Sequence, residues 1–82
     1  MFKNKNKTSN NLCGQNIKRI RLSITPRLSQ RGLADKLQLE GIDLDKNAIQ
    51  RIESGQRFVT DIELLAFSKV LKVSLEELLH LT

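Results

Sequence analysis

The chain has 82 residues, a formal net charge of +5 and three phenylalanines as its only aromatics. That length suits one modest core but not a deep catalytic cleft beside it, and the longest unbroken apolar run, LLAF at 64–67, is far too short to span a bilayer. The charge is uneven: residues 1–34 hold eight Lys/Arg and no acid, while residues 35–82 hold six Lys/Arg against nine Asp/Glu, so +8 and −3 give the total. Such a one-ended positive field suits a polyanion, either nucleic acid or an anionic membrane, and a merely lopsided soluble surface accounts for it equally well.

In chain order, MFKNKNKTSNN (1–11) is polar and Lys/Asn-rich. It reads as a flexible basic arm, leaving 12–82 as the domain. The arm lacks the apolar segment of a signal peptide, and Lys3, Lys5 and Lys7 either follow phosphates or a minor groove or are simply solvated. A first helix is expected from about Leu12 to Ser23, with Cys13, Ile17, Ile20 and Ile24 facing inward. Pro26 ends it by removing a backbone donor and pushing Thr25 out of the helical region. Cys13 is the single cysteine, cannot form an internal disulfide, and reads as a small core residue in a reducing cytoplasm.

Four further helix starts share one pattern: an apolar residue, a capping residue, then an apolar residue four places after the cap. They are Leu28-Ser29 with Leu33, Leu44-Asp45 with Ile49, Val59-Thr60 with Leu64, and Val73-Ser74 with Leu78. Each cap can take an orphan first-turn amide, and each apolar pair can act as a staple. Thr60 with Glu63, and Ser74 with Glu77, complete capping boxes. Gly41 and Gly55 can take the left-handed conformation that ends a helix, whereas the fourth helix ends near Leu71 with Lys72 where glycine would be easier. No run has a period of two, so the chain is all-α with five helices.

The first-turn charges divide these helices. The fourth and fifth begin with acids (Asp61, Glu63; Glu76, Glu77), which complement the helix dipole. Beyond their caps the second and third begin with bases instead, Arg31 and Lys46, each forgoing a few tenths to about 1 kcal/mol. An external anion would complete both starts, because first-turn amides beside a cation hold phosphate; neutral drift of surface charge is the bland alternative. On the third helix, Lys46, Asn47, Gln50, Arg51 and Ser54 share one face while Ala48, Ile49 and Ile52 share the other. The outer face carries donors and no carboxylate.

The segments IKRIR (17–21), LSQRGLADKL (28–37), AIQRIESGQR (48–57) and LLAFSKVLKVSLEELL (64–79) resemble the phage-repressor (Cro-type) helix-turn-helix family of DNA-binding transcriptional regulators. The resemblance covers nearly everything outside the arm. It implies a compact, lambda-repressor-like five-helix bundle whose second helix crosses the DNA backbone while the third enters the major groove. Carried over by position, it implies base contacts from Lys46, Asn47, Gln50 and Arg51. Asn pairs two-fold with adenine and Arg or Lys with guanine, which agrees with the exposed chemistry. It also implies backbone contacts from Gln30, Arg31, Ser54, Gln56 and Arg57, and an Arg21–Glu53 ion pair; Arg19 and Arg21 add backbone charge. Between the second and third helices this chain takes about five more residues than the compact family form, and if the second helix continues to Glu40, then 41–44 is the short turn. Gly32 stands where the family usually has a longer side chain, and either admits a phosphate or is tolerated slack.

The expected function is therefore a cytoplasmic, sequence-specific regulator of double-stranded DNA, a repressor, with no cofactor and no membrane. An antitoxin-like or adaptor protein using the same fold to bind a protein partner is the alternative. His80 has no evident partner, and neither a metal-ligand cluster nor a phosphate loop occurs, so no enzyme is expected. With so few aromatics there is no stacking platform for unpaired RNA bases. The leucines Leu75, Leu78, Leu79 and Leu81 either close the core or form a homodimer seam that sets two recognition helices about one DNA turn apart.

Overall fold

The computed structural model describes residues 11–24 and 26–79. The expectations for the arm before Asn11, for Thr25, and for His80 and Leu81 lie outside the described residues. Five helices follow one another: α1 (Gly14–Ser23), α2 (Gln30–Leu39), α3 (Lys46–Glu53), α4 (Asp61–Leu71) and α5 (Leu75–Leu79). Among the described residues there is no strand.

Local chemistry sets the starts. Ser29 Oγ accepts from the Gly32 amide at 2.9 Å, Asp45 Oδ1 from the Ala48 amide at 2.7 Å, and Thr60 and Ser74 hydroxyls from the Glu63 and Glu77 amides at 3.1 Å each. Glu63 and Glu77 accept in return from the Thr60 and Ser74 amides, at 3.1 and 3.2 Å. Caps of this kind are each worth about 1 kcal/mol. Every member of the four apolar pairs lies in the core or packs against it. That core is centred on Phe67, Ile17, Leu33, Leu37, Ile49, Ile52 and Leu78, and Cys13 is buried with them.

The stops use left-handed residues. At Gly41 (φ +84°) the Gly41 amide donates to the Gln38 carbonyl and the Ile42 amide to the Leu37 carbonyl, both at 3.0 Å. The same paired closure follows α3 at Gly55 (φ +82°), where the Gln56 amide donates to the Arg51 carbonyl at 2.8 Å. Both are Schellman motifs. Lys72 takes the left-handed conformation at φ 59° with a side chain to accommodate, at a cost of roughly 1–2 kcal/mol.

Two sequence expectations need correction. α1 runs from Gly14, two residues after the expected start, with Cys13 as its N-cap residue and no side-chain cap bond; Asn11 Oδ1 accepts from the Gly14 amide at 2.6 Å. Asn11 itself, assigned to the arm on composition, donates through Nδ2 to the carbonyls of Ile52 (3.1 Å) and Arg57 (2.8 Å). The ordered fold thus reaches back to Asn11, one residue before the expected boundary. At Gly32 a Cβ would lie 3.1 Å from Leu28 Cδ1 and 3.2 Å from Ser29 Oγ, a tight fit to two side-chain atoms that would have to give by a few tenths of an ångström.

α3 packs on α1 and α2; α4 packs on α2, α1 and α5. α3 is therefore held along its inner face only. Between α2 and α3 lie Glu40 as C-cap, the left-handed Gly41, and the irregular stretch Ile42, Asp43 and Leu44 that leads into the Asp45 cap.

Candidate nucleic-acid interface

α3 divides cleanly by burial. Ala48, Ile49, Ile52 and Glu53 are buried, whereas Lys46, Asn47, Gln50, Arg51 and Ser54 are exposed. At 3.6 residues per turn those five span roughly 140° of arc, so they form one surface. It holds two cations, two carboxamides and a hydroxyl, and no carboxylate. The Ser54 hydroxyl donates to the Arg51 carbonyl at 3.1 Å, at the foot of this surface.

A buried junction fixes α3 against its neighbours. Arg21 Nε donates to Glu53 Oε2 at 2.7 Å, and Arg21 Nη2 donates to Glu53 Oε1 at 3.0 Å. The two side chains are only 8% and 3% exposed. Arg21 Nη1 donates to the Leu28 carbonyl at 3.0 Å, tying α1 to the entry of α2. Gln30, the first residue of α2, donates from Nε2 to the same Glu53 Oε1 at 3.0 Å. One carboxylate thereby joins α1, α2 and α3, and it orients the Gln30 amide with its nitrogen inward.

The first turns of α2 and α3 meet across a groove of about 350 Å³, lined by Arg31 and Lys46 from the two helix starts and by Asp35, Asp43 and Asp45. Neither first turn contains an acid beyond the Asp45 cap. Capping uses the amides of Gly32 and Ala48, while the first two amides of each helix have no intrahelical acceptor. Each of these helix starts therefore has two backbone donors and one cation, Arg31 or Lys46, and both cations line the same groove with the three aspartates.

Not every expected residue gathers here. Arg19 donates to Asn16 Oδ1 at 3.3 Å, and Asn16 Nδ2 donates to the Leu78 carbonyl at 2.9 Å, so Arg19 lies on the α5 side of α1. Arg21 is spent within the buried junction. Arg57 follows α3 closely in sequence but turns towards α4: Nη1 donates to Glu63 Oε1 at 3.0 Å and to the Phe58 carbonyl at 3.1 Å, and Nη2 donates to Glu63 Oε2 at 3.2 Å. Burial alone would raise the Glu63 carboxyl, but hydrogen bonds from Arg57 and Thr60, with the Arg57 charge, hold it below its usual value. Gln56 is exposed at the α3 exit.

Sequence reasoning did not find the Gln30–Glu53 bond, the Arg57–Glu63 pair or the role of Asn11. The last two had a faint signal in retrospect. Glu63 sits six residues after Arg57 across a capped start, and Asn, three places before Gly14, is a residue type whose side chain accepts backbone amides near helix starts.

The described residues contain no group of three or more His, Cys, Asp or Glu able to hold a metal. Burial pushes the Cys13 thiol up to about 11, with the Glu63 charge adding and a backbone hydrogen bond opposing, so it stays protonated at neutral pH and is a poor nucleophile. No helix among the described residues is long and apolar enough to cross a membrane.

A family model described as helix-turn-helix matches residues 17–78, most of the chain and all five helices except the first three residues of α1 and the last of α5. The chain belongs to the helix-turn-helix family. No curated protein and no solved structure matches it. Membership makes this a DNA-binding domain of the kind carried by regulators, a class that is typically non-enzymatic. Within the helix-turn-helix, α2 and α3 are the paired helices, and the Arg21–Glu53–Gln30 junction sits where they meet.

Proposed function

We propose that this helix-turn-helix protein is a sequence-specific transcriptional repressor that lays α2 across the DNA backbone and reads the major groove with α3. The observation that carries this reading is the outer surface of α3: Lys46, Asn47, Gln50 and Arg51 all exposed, no acid among them, on a helix otherwise buried. Asn47 and Gln50 have the paired donor and acceptor that adenine presents, and Lys46 and Arg51 the donors that guanine accepts. Arg31 and the open first-turn amides of α2 supply sequence-independent phosphate contacts, with Gln56 doing so at the α3 exit; the Gln30 nitrogen and the Ser54 hydroxyl are engaged by Glu53 and the Arg51 carbonyl. Repression needs nothing beyond occupancy of a promoter by a domain of this size. Two chains on one site would place their α3 helices about one helical turn, roughly 34 Å, apart on a symmetric operator.

The test is a salt titration of affinity for duplex DNA from upstream of the protein's own gene and for a scrambled duplex of equal length. The upstream duplex is expected to win by about a hundred-fold or more, close to 3 kcal/mol. Asn47→Ala should narrow that gap. Arg31→Ala should weaken both duplexes alike and make the salt slope shallower by about one. Arg31 is the better probe of backbone charge than Arg57, whose guanidinium is engaged by Glu63. Equal, weak binding to both duplexes by all three proteins would refute DNA readout and favour a protein-binding role for the same fold.

A further inference from the structure

Arg57 stands at the foot of α3 with its main chain fixed. Its amide donates to the Arg51 carbonyl at 3.3 Å, and its carbonyl accepts from Asn11 Nδ2 at 2.8 Å. The side chain is held by something else. Nη1 and Nη2 meet the two carboxylate oxygens of Glu63 end-on, at 3.0 and 3.2 Å. Glu63 is the third residue of α4 and completes the Thr60 capping box. That box needs only a side-chain oxygen at this position, which Gln also supplies, so the cap does not require the negative charge. What the charge holds is Arg57. The pair is of intermediate burial: its side chains are 32% and 13% exposed, against 8% and 3% for Arg21 and Glu53. It is therefore neither locked by full desolvation nor lost to solvent screening.

We propose that Glu63 withholds Arg57 from the DNA backbone, so that the chain carries one phosphate contact fewer than its cations allow. Glu63 is then a positioning residue: it touches no DNA itself and sets where the Arg57 guanidinium lies. Removing its charge leaves the Arg57 main chain in place beside the exposed Gln56 and frees the end-on fork of the guanidinium, the edge that binds phosphate two-fold. With the carboxylate present, a phosphate has to displace Glu63 before it gains Arg57, and the exchange of one anion for another returns little. The inference rests on the phosphate-contact part of the functional reading and not on base readout. Phosphate contacts are sequence-independent, so failure of the gate and failure of base recognition are seen separately.

The experiment measures affinity of the full chain for the upstream and scrambled duplexes, from about 50 to about 200 mM salt. The proteins are wild type, Glu63→Gln, Arg57→Ala, the double variant Arg57→Ala/Glu63→Gln, and Asp61→Asn. Thermal melting checks that each is folded at the working temperature; Gln at this position keeps the capping box. Glu63→Gln should bind both duplexes more tightly, by roughly fivefold at the low-salt end. Its salt slope should steepen by about one, so the gain shrinks by about threefold across the range. Arg57→Ala alone should change affinity by less than about twofold, and in the double variant it should abolish the gain. Asp61→Asn removes an exposed acid from the same first turn and controls for charge at a distance; its gain should be the smaller. A merely structural role for Glu63 would weaken binding or leave it unchanged. The proposal is overturned if Glu63→Gln binds no tighter than wild type, if the gain survives Arg57→Ala or is matched by Asp61→Asn, or if none of the proteins binds either duplex. A gate that behaves as expected while wild type does not distinguish the two duplexes would leave this inference standing and sink base readout.

Discussion

Arg21→Met tests what holds the two paired helices together. The substitution keeps the length and apolar stem of the side chain but removes the donors at 2.7 and 3.0 Å from Glu53 and the donor at 3.0 Å from the Leu28 carbonyl. Glu53 would then keep only Gln30 as a side-chain partner, in a position where it is 3% exposed. Stranding a buried charge in this way costs about 3–5 kcal/mol, against at most about 1 kcal/mol for a solvent-screened pair. A domain of this size has a total stability of only about 5–10 kcal/mol, so the variant should sit close to its unfolding limit. The assay is urea unfolding followed by circular dichroism. With a slope near 1 kcal/mol per molar urea, the midpoint should fall by roughly 3 M or more. The companion is Arg21→Met/Glu53→Leu, which removes the stranded charge and fills the site with apolar atoms. It should regain at least half the loss, because exchanging a whole buried pair for well-packed apolar groups is often close to neutral. A loss below about 1 kcal/mol in the single variant, or no recovery in the double, would refute the claim that the pair is a desolvated unit.

Three further outcomes follow from other sites. Glu63 has a carboxyl held below the ordinary glutamate value of 4.5, so the stability it contributes is present above that pH and is lost as pH falls through the lower folded value; Glu63→Gln should therefore be less stable than wild type near neutrality and converge with it in acid, as seen in unfolding midpoints across pH. Lys72→Gly should raise stability by about 1 kcal/mol in the same urea assay by relieving the left-handed conformation at φ 59°. Gly14→Ala should lower it by more than about 2 kcal/mol, since the new Cβ would overlap the Ile52 carbonyl oxygen, and a neutral result would mean that α1 and α3 are not in backbone contact there.

The helix starts were legible because each is written within about five consecutive residues: cap, first-turn partner and staple. The same locality exposed Gly41, Gly55 and Lys72 as stops. What stayed hidden was carried by bonds across the chain. Asn11 looks like one more polar residue in a polar run, and its carbonyl partners lie 41 and 46 residues away. Gly14 is unremarked in one dimension because its need for no side chain comes from a backbone that α3 brings to it. At the interface, period alone gave the outer face of α3, since the four base-reading candidates are simply the residues its apolar side leaves over. Period could not say on which side of α1 Arg19 points, nor that Arg57 would be claimed by Glu63, because both depend on where α5 and α4 dock.

The division of α3 has an evolutionary consequence. Ala48, Ile49, Ile52 and Glu53 carry its attachment to the rest of the molecule, and none of Lys46, Asn47, Gln50 or Arg51 takes part in the buried junction. Those four positions can therefore change with little effect on folding, so on the proposed reading descendants of this chain are free to drift towards new operators by side-chain exchange alone. The same freedom suits directed redesign, in which a library limited to four codons would sample recognition while nearly every member still folds.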